Sequence, residues 1–142
     1  MIALPRRLLD EIRRRAEAAY PEECCGLLLG HERGKDRIHV SAAVASANLA
    51  AEPQRHFEVD PALYFRLRRA AAAEPSGARL VGLYHSHPEG EPVPSASDAA
   101  EAWQEGWIWL IVPLASGRAG VLSAFRLARM GGPFEAVALS PC

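Results

Sequence analysis

The sequence predicts an α/β fold in which helices pack on one mixed β-sheet. The chain has 142 residues, 49% of them hydrophobic and 23% charged, which is the composition of a globular domain with one core. Short apolar runs alternate with amphipathic segments in the approximate order αββαβαβββ, an order typical of a sheet covered by helices. We therefore expect a single domain over residues 1–142.

The first segment, residues 1–20, predicts an amphipathic helix. Leu4, Leu8 and Ile12 recur at helical spacing, and the arginines between them are typical of a solvated basic face. Docking of an acidic partner on that face is the alternative. The residue before a proline avoids the α region, so the helix should end at Tyr20, just before Pro21.

Six apolar runs predict strands, since each is short and bounded by glycine, proline or polar turns. They are residues 24–30, 37–48, 79–87, 107–115, 120–128 and 134–140. Two further helices are expected between these strands. One begins at Asp60-Pro61, because aspartate is a natural N-cap and proline suits the first helical position. The other spans Ser95 to about Gln104.

Composition excludes several function classes. The formal net charge of -1 does not favour nucleic acid or an anionic membrane as partner. No apolar run approaches the roughly 20 residues of a membrane-spanning helix. Three cysteines without a CxxC pair exclude a zinc ribbon, a zinc finger and a thioredoxin-type site, and they fit a reducing compartment. We expect a cytoplasmic protein that binds neither nucleic acid nor membrane.

The stretch HSHPEGEPVPSASD, residues 85–98, carries the residues of a metal site. Residues two apart on a strand face the same side about 6.5 Å apart, so His85 and His87 can reach one ion. Pro88 places the pair at a strand end, and Asp98 falls in the first turn of the next helix. Two nitrogens and one oxygen leave an open position on a tetrahedral Zn²⁺, as catalytic zinc sites do.

A simpler interpretation of the same stretch has no metal. His-x-His at a strand end is often a polar edge, and Ser95-x-x-Asp98 resembles a helix capping box. The coincidence of both features within fourteen residues favours the metal site. The two interpretations of Ser95 are compatible, because a capping serine can still direct its hydroxyl into a cleft.

A hydrolytic zinc site also needs a carboxylate that moves protons. Glu22 and Glu23 lie just before the first apolar strand, where a buried acid costs free energy unless it has a partner or a use. The residues alone do not choose between them, and solvation of both remains the alternative.

The two segments together resemble the JAMM, or MPN-plus, metalloprotease signature. The pattern P-x-E-x-C-G is followed by H-x-H-P-x₆-S-x-x-D without a gap. The matching residues are Pro21, Glu23, Cys25, Gly26, His85, His87, Pro88, Ser95 and Asp98.

The resemblance implies a cytidine-deaminase-like α/β fold and zinc-dependent hydrolysis of amide or isopeptide bonds, with one Zn²⁺ per chain. It implies His85, His87 and Asp98 as zinc ligands. It also implies Glu23 as general acid and base, with Glu22 facing away, and Ser95 as a donor to the oxyanion.

The short flanking regions resemble the compact, stand-alone prokaryotic members of the family. The substrate implied is a ubiquitin-fold sulfur-carrier protein, cut at its C-terminal Gly-Gly tail. A non-catalytic MPN-type scaffold is the main alternative. A non-haem iron oxygenase is another, but it predicts a jelly roll and leaves Glu23 and Ser95 unexplained. The H-x-E…P-C-x-x-C signature of a nucleobase deaminase is absent. A homodimer is compatible with so small a domain.

The remaining polar and aromatic residues have ordinary structural interpretations. Cys25 should pack as a small hydrophobe. His31 is expected in a turn, and His39 and His56 are expected at or near the surface. The three tryptophans should pack between helix and sheet, with a cleft wall as the alternative for the first; they are Trp103, Trp107 and Trp109.

Overall fold

A computed structural model of the chain describes residues 1–34, 36–102 and 104–142. The elements in chain order are β1 (Ile2–Leu4), α1 (Arg6–Ala19), β2 (Cys25–Glu32), β3 (Ile38–Ser46), α2 (Pro61–Ala72), β4 (Arg79–Pro88), α3 (Ala96–Glu101), β5 (Ile108–Ala115), β6 (Arg118–Ala119), β7 (Ser123–Leu127), β8 (Phe134–Val137) and β9 (Leu139–Pro141).

The described strands form one nine-stranded sheet in the order β8-β7-β5-β4-β2-β3-β1-β9, with β6 paired to β5. Strand β4 is parallel to β5, and β1 is parallel to both β3 and β9. The other pairs are antiparallel. The predicted α/β class with a mixed sheet is confirmed, whereas the cytidine-deaminase-like topology and the single-domain boundaries stay predictions.

The two faces of the sheet carry separate apolar cores. Along β5, Ile108 and Leu110 belong to the cluster that includes the buried face of α1. Trp109 and the neighbouring Trp107 belong instead to the cluster that includes Leu63 of α2. This alternation follows from the two-residue period of a strand, which turns successive side chains to opposite faces. The predicted packing role of these two tryptophans is confirmed, and Trp103 lies outside the described residues.

The prediction for the first segment was right about the helix and wrong about its start. Leu8, Ile12 and Ala16 form the buried stripe of α1, but Pro5 precedes the first helical residue and Leu4 lies in β1. Leu4 fits the helical spacing only because it lies four residues before Leu8. A three-residue strand is defined by its partners β3 and β9, which local sequence does not reveal.

Two other boundaries differ from the sequence prediction. Strand β2 extends through Glu32, so His31 lies in a strand opposite His39 rather than in a turn. Helix α3 ends at Glu101, short of the expected end near Gln104. The N-terminal boundary of α2 is as predicted: the Asp60 side chain accepts a hydrogen bond from the amide of Ala62, with proline at the first helical position.

The last apolar run forms two strands instead of the one predicted. Strand β8 pairs with β7, and β9 pairs with β1, at opposite ends of the strand order. Only Ala138 separates them, and its carbonyl accepts a hydrogen bond from the amide of Ile2 at 2.8 Å. The sheet therefore curls until its two ends meet. No described helix is long and apolar enough to cross a membrane.

Candidate metal centre

The end of β4 and the start of α3 bring three potential ligands together. The Nε2 atoms of His85 and His87 lie 2.9 Å apart. Each also lies close to the same carboxylate oxygen, Oδ2 of Asp98, at 3.1 Å from His85 and 3.0 Å from His87. The three atoms therefore form a nearly equilateral triangle. Residues 85, 87 and 98 are a group that could hold a metal ion.

The triangle has the dimensions of a cation site. Bonds of about 2.0 Å to a tetrahedral cation place neighbouring ligand atoms about 3.3 Å apart, close to the observed spacing. The donor set of two imidazoles and one carboxylate suits a first-row divalent metal. The contact between two imidazole Nε2 atoms beside one carboxylate oxygen is satisfied best by a shared cation. The residues therefore fit a metal ion.

The electrostatics of the three groups are dominated by burial and mutual contact. Burial alone would raise the pKa of the Asp98 carboxyl, but hydrogen bonds from both imidazoles outweigh it and lower that pKa. Burial lowers the pKa of His85, which is completely enclosed. Burial also opposes protonation of His87, yet Asp98 and the Glu91 carbonyl raise its pKa overall. The pocket thus holds an ionised carboxylate beside one neutral histidine.

Each histidine is oriented by a different contact. Nδ1 of His87 lies 2.7 Å from the carbonyl oxygen of Glu91, which can only accept, so this nitrogen carries a proton and Nε2 is the atom that can bind a cation once its own proton is lost. The ring of His85 stacks on Phe57 at a centroid distance of 4.2 Å. The ring of Trp109 also contacts the His85 ring, nearly at a right angle and with centroids 5.6 Å apart. Nδ1 of His85 is buried with no hydrogen-bond partner among the described residues.

Glu23 is buried beside these groups, only 6% exposed. Its Oε1 has no hydrogen-bond partner in the described part of the chain. Burial raises the pKa of this carboxyl to about 7, with His87 opposing the shift and Asp98 adding to it. Glu22 is exposed, so the two neighbouring acids differ in burial.

An open cavity of about 480 Å³ joins Glu23 to the cation site. Its lining includes Glu23, His87 and Ser95, together with Pro88 at the end of β4 and Gly90 in the loop that follows. The five signature residues with polar chemistry thus meet at one cleft or directly beneath it.

Ser95 both caps a helix and lines this cleft. Its Oγ accepts a hydrogen bond from the Asp98 amide at 3.0 Å, and its own amide donates to Asp98 Oδ2 at 2.9 Å. The capping box was expected as an alternative to the metal site. It is present, and it is formed by two residues of the candidate site itself. Because Oγ acts as an acceptor in the cap, its own hydroxyl hydrogen is available to a substrate.

The loop between β4 and α3 is fastened at two points. The carboxylate of Glu89 accepts hydrogen bonds from the Tyr20 hydroxyl at 2.7 Å and from the Ser116 amide at 2.6 Å. The Ser123 hydroxyl donates to the carbonyl of Pro92. These anchors lie on either side of Glu91 and so fix the carbonyl that orients His87.

Cys25 packs as a small hydrophobe, as the sequence predicts. It is 1% exposed within the cluster that covers Trp109. Burial raises the pKa of its thiol to about 12, so it remains protonated at neutral pH and is a poor nucleophile.

Three contributions to the site were missed by sequence reasoning. Phe57 supports His85, the Glu91 carbonyl orients His87, and Asn48 holds the backbone of Glu23 through a hydrogen bond of 3.0 Å. An aromatic residue just before the N-cap of α2 was visible in the sequence. A main-chain carbonyl has no sequence signature, and a lone asparagine at a strand end is a common turn residue.

A family model and several known proteins are similar to this chain in sequence. Residues 5–128 match the family described as prokaryotic homologs of the JAB domain. A desampylase of Haloferax volcanii is 40% identical over 104 residues, covering 73% of this chain and 71% of the relative. A probable TtuB-protein conjugate cleaving protease of Thermus thermophilus is 31% identical over 109 residues, covering 76% and 68%. Tail tip assembly protein K of Escherichia phage N15 is 35% identical over 118 residues, covering 75% of this chain but 43% of that protein.

Solved structures of other proteins are similar to this chain in fold. A protein from Desulfitobacterium hafniense has a TM-score of 0.80 at 30% identity, covering 100% of this chain and 94% of its own. A JAB1/MPN domain protein from Archaeoglobus fulgidus shares the fold at a TM-score of 0.59 and 22% identity, covering 100% and 97%. The chain belongs to the prokaryotic homologs of the JAB domain, the stand-alone prokaryotic branch of the JAMM/MPN family of metallo-isopeptidases. The family resemblance read from the signature is confirmed.

Proposed function

We propose that the chain is a zinc-dependent hydrolase that cuts peptide or isopeptide bonds at the C-terminal Gly-Gly tail of a ubiquitin-like sulfur-carrier protein. The observation that carries this proposal is the triangle of His85, His87 and Asp98 beside the buried carboxyl of Glu23, at one cavity.

The names of two relatives support the substrate class. One is a desampylase and the other a probable TtuB-protein conjugate cleaving protease, so both names describe cleavage of a protein conjugate. A glycine tail suits the cleft. The main chain at Gly90 lies close to the His87 side chain, and a tail without side chains can approach the lining of this cavity closely.

His85, His87 and Asp98 are the residues that would hold Zn²⁺. Zinc supplies Lewis acidity, which polarises a carbonyl and lowers the pKa of water to about 7. The Asp98 carboxylate, ionised and hydrogen-bonded by the Ser95 amide, supplies the negative charge that a divalent cation needs. The contact of His87 Nδ1 with the Glu91 carbonyl leaves Nε2 as the atom that can bind a cation.

Glu23 is the proposed general base and then general acid. In the metal-free protein burial raises the pKa of this carboxyl to about 7, near the range that suits a group that must accept and return a proton. As carboxylate it takes a proton from the attacking water. As acid it gives that proton to the leaving amine when the C–N bond breaks, so it ends the cycle unchanged.

Ser95 is proposed to stabilise the oxyanion that develops on the scissile carbonyl. Its hydroxyl oxygen is held by the Asp98 amide, which fixes its position at the cleft. The hydroxyl hydrogen then donates to the oxyanion, an interaction stronger in the transition state than in the substrate.

The test is cleavage of defined conjugates by the zinc-loaded protein. A sulfur-carrier protein with one extra residue after Gly-Gly, and the same carrier joined through an isopeptide bond to lysine, are incubated with enzyme and followed by intact mass. We expect loss of the leaving residue, with Glu23→Gln slower by about 10²–10⁴-fold and the adjacent Glu22→Gln unchanged. Failure to cleave any Gly-Gly-tailed conjugate with zinc bound would overturn the proposal and favour the scaffold alternative.

The iron alternative is weakened by the fold. Two histidines and a carboxylate also suit Fe(II), but that interpretation predicted a jelly roll. The strands instead form a curled sheet with parallel pairs, among them β4 with β5. An iron oxygenase also leaves Glu23 and Ser95 without a role. A cytoplasmic location and a homodimer stay predictions.

A further inference from the structure

The lining of the cavity beside the cation site includes an arginine, Arg55, whose side chain is exposed. Among the described residues the Arg55 side chain has no ion-pair or hydrogen-bond partner. The other charged side chains on the cavity lining are His87 and the acids Glu23 and Glu91. Arg55 is therefore the unpaired, permanently charged donor at the cleft.

The main chain on either side of Arg55 is held by Asn48. The Asn48 amide nitrogen donates to the carbonyl of His56 at 2.9 Å and, more weakly, to that of Pro53 at 3.4 Å. Its amide oxygen accepts from the Glu58 amide at 3.0 Å. One side chain thus fixes both ends of a short exposed turn.

Two further contacts join this turn to the catalytic residues. The Pro53 carbonyl accepts a hydrogen bond from the Glu23 amide at 2.8 Å. Nδ1 of His56 lies 2.6 Å from the hydroxyl of Ser97, the residue before Asp98. These contacts fix the backbone around Arg55 relative to Glu23, the proposed base, and relative to α3, the helix that carries Asp98. Arg55 thus combines a fixed backbone with an exposed side chain that has no partner among the described residues.

We propose that Arg55 binds the α-carboxylate of the leaving residue and so favours release of a single amino acid from the carrier tail. This inference rests on the proposed function and specifies its substrate. When one amino acid is joined to the tail by a peptide bond, its carboxylate is separated from the scissile nitrogen only by the α-carbon. A guanidinium pairs with such a group through two parallel hydrogen bonds.

An isopeptide-linked lysine presents a different group at that place. Its scissile nitrogen is followed by methylene groups, and its own backbone is amide-bonded and neutral. Arg55 would contribute little to such a substrate. Arg55 would therefore favour a single residue joined by a peptide bond over a lysine joined by an isopeptide bond.

The experiment compares three substrates with zinc-loaded wild type and Arg55→Gln. The substrates are a carrier ending in Gly-Gly-Ala with a free carboxylate, the same carrier ending in Gly-Gly-Ala carboxamide, and the carrier joined through Gly-Gly to the ε-amine of an end-blocked lysine. We expect wild type to favour the carboxylate over the carboxamide by about tenfold in kcat/KM, the size of one exposed charge-assisted contact. Arg55→Gln should abolish that preference and leave isopeptide cleavage unchanged.

A matched control and a binding measurement separate the possible failures. Arg66→Gln removes an exposed arginine of α2, away from the cleft lining, and should keep the full preference. In zinc-loaded Glu23→Gln, the dissociation constants of the two tail peptides are compared with and without Arg55→Gln, which tests the contact even if no substrate is cut. Because a carboxylate can also bind zinc, only the part of the preference that depends on Arg55 counts. A preference that is equal in wild type and Arg55→Gln would overturn the inference, whether or not cleavage occurs.

Discussion

Replacing Glu23 with glutamine should make the metal-free protein more stable while it removes activity. In the folded protein, burial raises the pKa of this carboxyl from 4.5 to about 7. In the unfolded chain it ionises at its ordinary value. The folded state therefore binds a proton more tightly, and wild-type stability falls as pH rises from below 4.5 through 7. A glutamine never has to ionise, so it avoids this loss.

The size of the effect follows from that shift. A difference of about 2.5 pKa units corresponds to about 3 kcal/mol when the group is ionised in both states, at 1.36 kcal/mol per unit. At pH 8 the advantage of Glu23→Gln should be near that value. At pH 5 most of the carboxyl is protonated in the folded state and only partly ionised in the unfolded state, so the advantage should fall to about 1 kcal/mol.

The assay is urea unfolding of metal-free wild type and Glu23→Gln at pH 5 and pH 8. Both variants share the same histidines, so their titration largely cancels in the comparison. The matched control is Glu22→Gln, which removes an exposed carboxyl at the next position and should change stability by less than about 0.5 kcal/mol. An advantage of Glu23→Gln that is absent, or that is equal at the two pH values, would refute the burial of an acid with a raised pKa.

Three further predictions concern the cation site. Gly90→Ala places a methyl group 2.9 Å from the Cβ of His87, so His87 must shift and zinc affinity, measured by competition with a chelator, should fall at least tenfold. Phe57→Leu removes the ring stacked on His85 and should lower the free energy of unfolding by about 1 kcal/mol, with weaker zinc binding. Since Asp98 raises the pKa of His87, zinc must displace a proton, and its affinity should fall about tenfold per pH unit in acid.

Each of these has a control and a contradicting outcome. Gly131→Ala also alters a glycine, but no atom lies within 4 Å of its added methyl group, and it should leave zinc affinity unchanged. Unchanged zinc affinity in Gly90→Ala would mean that the loop does not constrain His87. For Phe57→Leu, normal stability and affinity would show that stacking does not support His85. A zinc affinity that is flat between pH 6 and 8 would contradict the raised pKa of His87.

The fold was predictable where a pattern is local. The N-cap of α2 at Asp60 and the buried stripe of α1 depend on neighbouring residues, and both were predicted correctly. Strand β1 and the division between β8 and β9 depend on the pairing of β1 with β9, which lie more than a hundred residues apart in sequence. A run of alternating residues gives no sign of which sheet end it joins, so these elements required the structure.

The site was predictable for a similar reason. His85 and His87 lie on one strand and Asp98 follows His87 by eleven positions, so strand parity and a helix cap were enough to expect convergence. The residues alone offered both Glu22 and Glu23, and only the family resemblance chose Glu23, because its approach to the site is set by pairing of β2 with β4. Arg55 reaches the cleft through a turn held by side-chain hydrogen bonds, which no sequence period encodes.

The most direct measurement of the central claim is metal content by elemental mass spectrometry, on purified wild type and Asp98→Ala after equilibration with zinc and removal of the excess. The triangle of His85, His87 and Asp98 predicts about one zinc per chain in wild type and a nearly complete loss in the variant. Circular dichroism of Asp98→Ala would verify that it remains folded without its helix cap. No zinc in wild type, or equal zinc in the two folded proteins, would contradict a metal centre at this strand end.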